Sequence, residues 1–147
     1  MNQFLSDLDV RYIDGRRWLV TAPFTYHLVQ PNGPEFIRVD VGTITDFASI
    51  PKLLKLRWPS PGGPWDKPAV IHDELYTLPF VQHRTGTARR IDRKEADAIF
   101  FEAMGVTQTP EQKRWALWSG VRLGGWVAWN RYRRLETTRA TAGSVAP

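Results

Sequence analysis

The chain contains no cysteine among its 147 residues. Disulfide bonds, cysteine-ligated zinc and a thiol nucleophile are therefore excluded, so any chemistry must use His, Asp, Glu, Ser, Thr, Tyr or the backbone. With 42% hydrophobic residues, a chain of this length can bury one ordinary core. We therefore expect one domain with one site.

The sequence also lacks any run of eighteen uncharged apolar residues, so we expect no transmembrane segment. Its first residues, MNQFLSDLDVRY, have neither the basic n-region nor the apolar h-region of a secretory signal. We accordingly expect that the protein is not exported by the Sec route.

Positive charge is concentrated at the C-terminal end. Residues 1–104 hold 13 Lys or Arg against 13 Asp or Glu, whereas residues 105–147 hold 7 against 2. A basic segment of this kind steers a protein toward phosphates or an acidic partner. No RNA-recognition, zinc-finger or phosphate-loop motif accompanies it, so specific nucleic-acid binding is not expected.

The first fifty residues predict a small antiparallel β-meander of about three strands. The segments VRYI, RRWLVTAPFTYHLV and EFIRVDVGTIT are separated by DG and QPNGPE, and such turn residues supply the positive φ of tight hairpins. Ile37, Val39 and Val41 share one face of their strand, while Arg38 and Asp40 point the other way. This alternation is typical of a half-buried strand.

Three helices are predicted after a Pro- and Gly-rich loop at residues 42–64. The first is AVIHDELYTL, with Pro68 in its first turn. The second begins at a capping box formed by Asp92 and Glu95 and ends at Gly105. The inward stripe of the second helix consists of Ala96, Ile99, Phe100 and Ala103.

The third predicted helix begins at Pro110 and runs to about Arg134. We therefore expect an α+β fold, with the meander followed by three helices. We expect this fold to form a single domain over residues 1–136, followed by a flexible tail at residues 137–147.

The sequence around His72 suggests a site. On a helix, Tyr76 lies one turn from His72 on the same face, while Asp73 is rotated by about 100°. A histidine that acts as a general base needs a carboxylate to orient it, and Asp97 on the next helix is the best candidate, since its apolar surroundings make an unpaired charge costly. Asp73 is then placed to bind a hard cation, which would polarise an ester or phosphoryl oxygen while His72 activates water.

The pattern HDELY, followed by a helix with EADAIF, resembles the catalytic helices of secreted and viral phospholipases A2 over about 35 residues. The resemblance implies that His72 is the base, Asp97 its orienting residue, Asp73 a Ca²⁺ ligand and Tyr76 a structural support. That family has a Gly-rich calcium loop before the helix. In this sequence the corresponding segment would be PSPGGP or GTITDFASIP.

Over residues 36–125 the chain is more similar to a family of uncharacterised phage and prophage proteins, marked by GTITDFASIP, HDELY, ADAIFFEAM and VRLGG. This resemblance implies a phage origin and a location in the virion or the host cytoplasm. It adds Asp46 as a second metal ligand or as a cap for the N–H groups of Ala48 and Ser49. The expected partners are other virion proteins or anionic phospholipid.

Two alternatives remain open at the His72 site. The His/Asp cluster is equally consistent with a structural polar network on amphipathic helices, as in a non-catalytic virion or assembly protein. The order His27, His72, Asp73, Asp97 also resembles the ligand set of metal-dependent phosphohydrolases of the HD type, although those are all-helical.

The third helix is rich in tryptophan and arginine. It either lies as a core helix across the sheet, or presents a surface to a bilayer or a protein partner. The residues predicted for such a surface are Trp115, Trp118, Arg122, Trp126, Trp129 and Arg133. Ala116, Gly120 and Gly124, spaced four residues apart, would allow another backbone to approach.

Overall fold

The computed structural model describes residues 3–15, 17–47 and 62–143. Within these ranges the chain forms seven strands and three helices. They are β1 (Val10–Asp14), β2 (Arg17–Val20), β3 (Phe24–His27), β4 (Glu35–Val39), β5 (Ile44–Thr45), α1 (Asp66–Thr77), β6 (Phe80–His83), β7 (Ala88–Arg90), α2 (Arg93–Val106) and α3 (Glu111–Gly143). The α+β class is confirmed.

The strands form two antiparallel sheets, in the orders β1-β2-β5 and β3-β4-β6-β7. The expectation of about three strands is therefore wrong. RRWLVTAPFTYHLV supplies two strands instead of one, because Pro23 lies between β2 and β3 and a proline cannot donate to a sheet ladder. The two strands lie in different sheets.

The hairpin β6–β7 lies between α1 and α2, in a segment that the sequence suggested to be a loop. It adds two strands to the β3-β4 edge, with Glu35 opposite His83 and Phe80 opposite Arg90. Val81 is the fully buried residue of β6, and Gly86 has the positive φ (86°) that the connecting turn requires. Short strands that are mostly exposed carry little hydrophobic periodicity.

Helices α1 and α2 begin as expected. Pro68 lies in the first turn of α1, and the Asp92 carboxylate accepts the N–H of Glu95 at 2.8 Å. The expected stop at Gly105 is wrong, because α2 continues to Val106 and the left-handed residue is Gln108 (φ 58°). A Cβ at Gly105 would lie 2.9 Å from Arg114 Nη2, so this glycine makes room for a side chain of α3.

Helix α3 is longer than expected, since it extends past Arg134 to Gly143. Residues 137–143, which were assigned to a flexible tail, are therefore helical, and residues 144–147 lie outside the described ranges. At about 1.5 Å per residue, the helix is about 50 Å long. No helix among the described residues is long and apolar enough to cross a membrane.

The core lies where α1 packs against α2, α3 and β4. Val70, Ile71 and Leu75 of α1 are fully buried, as are Tyr26 of β3 and Phe100 of α2. Each large apolar side chain buried in this way stabilises the fold by about 1.5–3 kcal/mol relative to exposure. The burial of α1 on several sides places its polar residues His72 and Tyr76 inside the protein.

Glu102 of α2 ties the N-terminal segment to the helices. Its Oε1 atom accepts hydrogen bonds from Gln3 Nε2 (3.0 Å), the Tyr26 hydroxyl (2.7 Å) and the backbone N–H of Val29 (3.0 Å). Val29 has a positive φ of 67°, and this carboxylate satisfies its N–H. One oxygen thus connects three segments of the chain.

Candidate active site

The structure brings His72 and Asp97 together between α1 and α2. His72 Nε2 lies 2.8 Å from Asp97 Oδ1. Both side chains are buried, with 3% of His72 and none of Asp97 exposed to solvent. The two helices pack side by side, as the apolar stripe of α2 predicted.

Asp97 receives hydrogen bonds from all three helices. Tyr76 donates its hydroxyl to Oδ1 at 2.8 Å, and Arg122 of α3 donates to Oδ2 at 2.7 Å. Arg93 Nη1 lies 3.4 Å from Oδ2 and also donates to the carbonyl of Arg122 at 3.2 Å. The carboxylate is therefore satisfied inside the core.

Two of these partners were missed or misplaced by sequence reasoning. Arg122 was expected on a membrane or partner surface, but it turns inward because Asp97 offers the strongest acceptor within reach. Arg93 precedes Asp97 by four residues, and this spacing on a helix was the signal that could have identified it.

These contacts fix the protonation states of the pair. Burial, together with the charge of Arg93, lowers the pKa of His72 in spite of the opposing hydrogen bond to Asp97. Burial raises the pKa of Asp97, but the bonds donated by His72, Arg122 and Tyr76 outweigh it and bring that pKa below its usual value. Near neutral pH, Asp97 is a carboxylate and His72 is neutral.

A neutral His72 bound to a carboxylate has one sensible tautomer. A carboxylate only accepts, so Nε2 carries the proton and Nδ1 carries the lone pair. Nδ1 makes no hydrogen bond to any residue in the described part of the chain. His72 contributes to the wall of a cleft of about 180 Å³.

The cleft lies between α1, α3 and the β2–β5 edge. Its polar lining includes Asp73 and Asp46 beside His72, and the lining also contains Arg17 of β2. Ile44, Val121, Ala128 and Tyr132 form an apolar part of the wall, and Tyr76, Thr77 and Gly125 complete the lining. A base, two carboxylates and an apolar wall therefore share one small cavity.

Tyr76 is held in place by α3. Its ring meets Trp129 edge-on at 5.3 Å between centroids and lies 4.1 Å from the His72 ring. A Cβ at Gly125 would overlap the Tyr76 hydroxyl, so only glycine fits there. Burial, followed by the charge of Asp97, raises the Tyr76 pKa, which keeps the hydroxyl a donor.

Asp73 is engaged with β5. Thr45 donates its hydroxyl to Asp73 Oδ2 at 2.5 Å, and the N–H of Phe47 donates to that same hydroxyl oxygen at 3.0 Å. Thr45 is itself 1% exposed. This chain of bonds fixes the start of the TDFASIP block against α1.

Asp46 is exposed and faces the same cleft as Asp73. Carboxylate oxygens are the donors that Ca²⁺ prefers, but it takes six to eight of them. Among the residues in the described ranges, no group of three His, Asp or Glu side chains is arranged to hold a metal. The expected capping of Ala48 and Ser49 by Asp46 lies outside those ranges, as do residues 48–61 of the loop that would supply backbone carbonyls.

The HD-type ligand set is not assembled. His27 Nδ1 lies 2.9 Å from the carbonyl oxygen of Gly33, in the sheet β3-β4-β6-β7. It forms no metal-holding group with His72, Asp73 and Asp97, all of which the structure describes. His27 is the last residue of β3, and its bond to Gly33 stabilises the turn between β3 and β4.

The surface predicted on α3 divides into inward and outward residues. Trp129 packs on Tyr76, and Arg133 donates to the carbonyl oxygens of Tyr76 and Thr77 at 2.8 and 3.0 Å. Trp118 is half-buried against Phe101. The residues of the set that are exposed over half or more of their surface are Trp115 (50%) and Trp126 (56%).

The fold and the site together define an α+β protein with a buried His/Asp pair at a cleft. The model of the family described as a protein of unknown function (DUF1353) matches residues 18–121. The chain belongs to this family, and the match contains the His72 and Asp97 pair together with Asp46 and Asp73. No curated protein and no solved structure matches the chain.

Proposed function

We propose that this chain is a hydrolase of ester bonds in which His72 is the general base. The observation that carries the proposal is the orientation of His72: Asp97 binds Nε2 at 2.8 Å, and Nδ1 is left with its lone pair. The lowered pKa of His72 keeps that lone pair available at neutral pH. A buried, oriented imidazole at a cleft is the arrangement that general-base catalysis requires.

In the proposed reaction, Nδ1 of His72 takes a proton from water while the water oxygen attacks the acyl carbon. Asp97 stabilises the imidazolium that forms, and Tyr76 and Arg122 keep Asp97 in position. The C–O bond of the ester then breaks, and Nδ1 returns its proton to the departing alkoxide. The neutral imidazole is regenerated without any further reactant.

The leading substrate is a phospholipid ester. Two observations support it: the resemblance of HDELY and its following helix to phospholipase A2, and the apolar wall that Ile44, Val121 and Ala128 give the cleft. An acyl chain can contact this wall while its ester lies near His72. The protein would be phage-encoded and would act in the virion or the host cytoplasm, for which the four sequence blocks are the support.

Asp73 and Asp46 are the residues that would hold a calcium ion. Calcium would supply polarisation of the ester carbonyl. The two carboxylates have the right chemistry and lie at one cleft, but they are too few by themselves to complete the coordination. A rise in melting temperature with calcium, lost in Asp73→Asn, would test binding without any activity readout.

The second candidate is a non-catalytic assembly protein in which the cluster is structural. The observation that favours it is the position of Asp97, which is fully buried and bonded to α1, α2 and α3 at once. Such a network also holds three helices in register. Other virion proteins would then be the partners.

One experiment separates the two functions. Hydrolysis of phosphatidylglycerol vesicles and of a soluble short-chain ester is measured with and without millimolar calcium for wild type, His72→Gln and Asp97→Asn. The matched control is His83→Gln, whose ring bonds Thr85 at the surface. General-base catalysis predicts a loss of about 100-fold or more in the first two variants and none in the control.

The proposal is wrong if the wild-type protein hydrolyses neither substrate at any calcium concentration. A His72→Gln variant that then also melts at lower temperature, beside an unchanged control, supports the structural network. Retained hydrolysis in a folded His72→Gln protein would equally remove His72 as the base.

A further inference from the structure

The cleft beside His72 is small, with a volume of about 180 Å³. An engineered apolar cavity of about 150 Å³ holds one benzene molecule, which corresponds to about 25 Å³ for each carbon. By this measure the cleft has room for about seven non-hydrogen atoms. The size of a bound group is therefore restricted.

Helix α3 forms one wall of the cleft. Four of its residues line the cleft and lie within about 60° of one another around the helix axis: Val121, Gly125, Ala128 and Tyr132. The two bulkier residues are at the ends of this row, about 16 Å apart, and the two small residues lie between them. The hollow exists because these central residues have little or no side chain.

Ala128 sets the width of this hollow. The space beside Gly125 is already taken by the Tyr76 hydroxyl, which a Cβ at Gly125 would overlap. The space that remains along the middle of the row lies beside Ala128, whose side chain is one half-buried methyl group. Each carbon added at Ala128 would remove about 25 Å³ from the cleft.

Val121 sets the depth of the cleft. Val121 and His72 are 2% and 3% exposed, so they lie at its inner end. Ile44 is 53% exposed and Tyr132 is 37% exposed, so they lie at its mouth. A bound group that enters at the mouth therefore ends at Val121.

We infer that the cleft is a binding pocket for a short acyl group of about four carbons, with its depth limited by Val121 and its width by Ala128. The inference rests on the proposed hydrolase, in which the ester carbonyl lies at His72. The two ester oxygens and the attacking water occupy three of the about seven places, and the acyl carbons occupy the others. The alcohol has to depart, so it lies at the mouth. The long acyl chain of a membrane phospholipid exceeds this volume, so esters of short acyl groups are the better substrates of the site.

Hydrolysis of nitrophenyl esters with acetyl, butyryl, hexanoyl and octanoyl groups by the full-length protein tests the inference. The quantity compared is the part of kcat/KM that His72→Gln removes. We expect it to fall about 10-fold or more from the butyryl to the octanoyl ester, because a pocket of fixed size rejects added methylene groups. Equal values for all four esters overturn the inference and leave the proposed hydrolase standing. A length limit that appears instead in the alcohols of a series of acetate esters also overturns it.

Two substitutions of opposite sense test the residues that set the limit. Val121→Ala removes two carbons from the inner end, so the longest acyl group that is hydrolysed well should grow by about two carbons. Ala128→Val adds two carbons beside the hollow, so the butyryl ester should lose about 10-fold in kcat/KM while the acetyl ester is retained. An unchanged length preference in both variants, shown to be folded by circular dichroism, overturns the inference.

The matched control is Val127→Ala, which makes the same change on another side of α3. Val127 is 56% exposed and lies about 240° around the helix from Val121. Its substitution should leave the length preference as in wild type. A shift as large as that of Val121→Ala would remove Val121 as the depth limit.

A binding measurement separates failure of the inference from failure of the proposed hydrolase. If His72 hydrolyses no ester, the hydrolase is wrong, and the pocket is then tested with methyl alkyl ketones, which carry a carbonyl but cannot be hydrolysed. Binding is followed by NMR of the Val121 and Ala128 methyl groups. Binding of pentanone that is about 10-fold tighter than binding of octanone supports the pocket. Binding that is absent, or that does not weaken with chain length, overturns it.

Discussion

Arg122 and Asp97 form an ion pair at the junction of α2 and α3, with Nη1 2.7 Å from Oδ2. His72 occupies the other carboxylate oxygen. The positive charge of the Arg122 guanidinium therefore partly cancels the negative electrostatic potential that Asp97 produces at the His72 imidazole. Arg122, which lies one residue beyond the matched family range, is therefore expected to lower the pKa of His72 in the same direction as the charge of Arg93.

Arg122→Gln is expected to raise the pKa of His72, because a positive charge beside the pair is removed. It should also lower the free energy of unfolding by about 2 kcal/mol, the range for a hydrogen bond to a charged group. The pKa is measured from an NMR titration of the His72 ring, and stability from urea unfolding. Arg131→Gln, at an exposed position of the same helix, should change neither quantity. An unmoved His72 pKa in folded Arg122→Gln would contradict the argument.

Stability should decline as the pH falls below about 6.5. The pKa of His72 is lowered in the folded state, so between that lowered value and the ordinary 6.5 the unfolded chain binds more protons. The contribution of His72 to the free energy of unfolding is therefore fully present above about pH 6.5. As the pH falls from 6.5 to the lowered pKa, this contribution decreases by at most about 1.4 kcal/mol per pH unit. The lowered pKa of Asp97 adds a further loss at lower pH, below its ordinary 3.8.

Urea midpoints across this range should show a shallower slope for His72→Gln, and an unchanged slope for His83→Gln. Equal slopes in all three proteins would refute the prediction.

Gly125→Ala should destabilise the protein by about 1–3 kcal/mol, the usual cost of overpacking. The added methyl group overlaps the Tyr76 hydroxyl and displaces it from Asp97. In a Tyr76→Phe background the overlap is smaller, so the cost of Gly125→Ala should shrink there. Gly143→Ala meets nothing within 4 Å and is the matched control. Chemical unfolding of wild type, the two single variants and the double variant measures the coupling, and strict additivity would contradict it.

Thr45→Val should lower the unfolding free energy by about 1–3 kcal/mol, because it leaves Asp73 and the N–H of Phe47 without the shared hydroxyl. Thr43→Val provides the control, since its hydroxyl makes one long contact of 3.5 Å with Glu74. Thermal unfolding compares the two. If both variants melt alike, the Thr45 bonds are not significant for stability.

The features predicted from sequence are those with a local signal. The capping box at Asp92, the position of Pro68 and the inward stripe of α2 depend on neighbouring residues, and they lie where the pattern placed them. The approach of Asp97 to His72 followed from two helices packing by their apolar faces. Asp97, and not an exposed acidic residue, was predicted as the partner of His72 because burying an unpaired charge is costly.

The remaining features depend on contacts between residues that are distant in sequence. Arg122 turns inward to a carboxylate 25 positions earlier, and Thr45 reaches an aspartate 28 positions later. No periodicity records such a pairing. The β6–β7 hairpin was missed for a different reason, since its strands are short and Val81 is its fully buried residue.

The bond between Gln3 and Glu102 closes a long loop of the chain. Gln3 and Glu102 are separated by 99 positions in the chain. Contacts of such long range are slow to form because the intervening chain must first be closed into a loop. The backbone bonds of Gln3 and Leu5 to His27 and Thr25, by contrast, join residues that are 20–24 positions apart. Loss of the Glu102 carboxylate is therefore expected to loosen the segment at residues 3–5 without detaching it from β3.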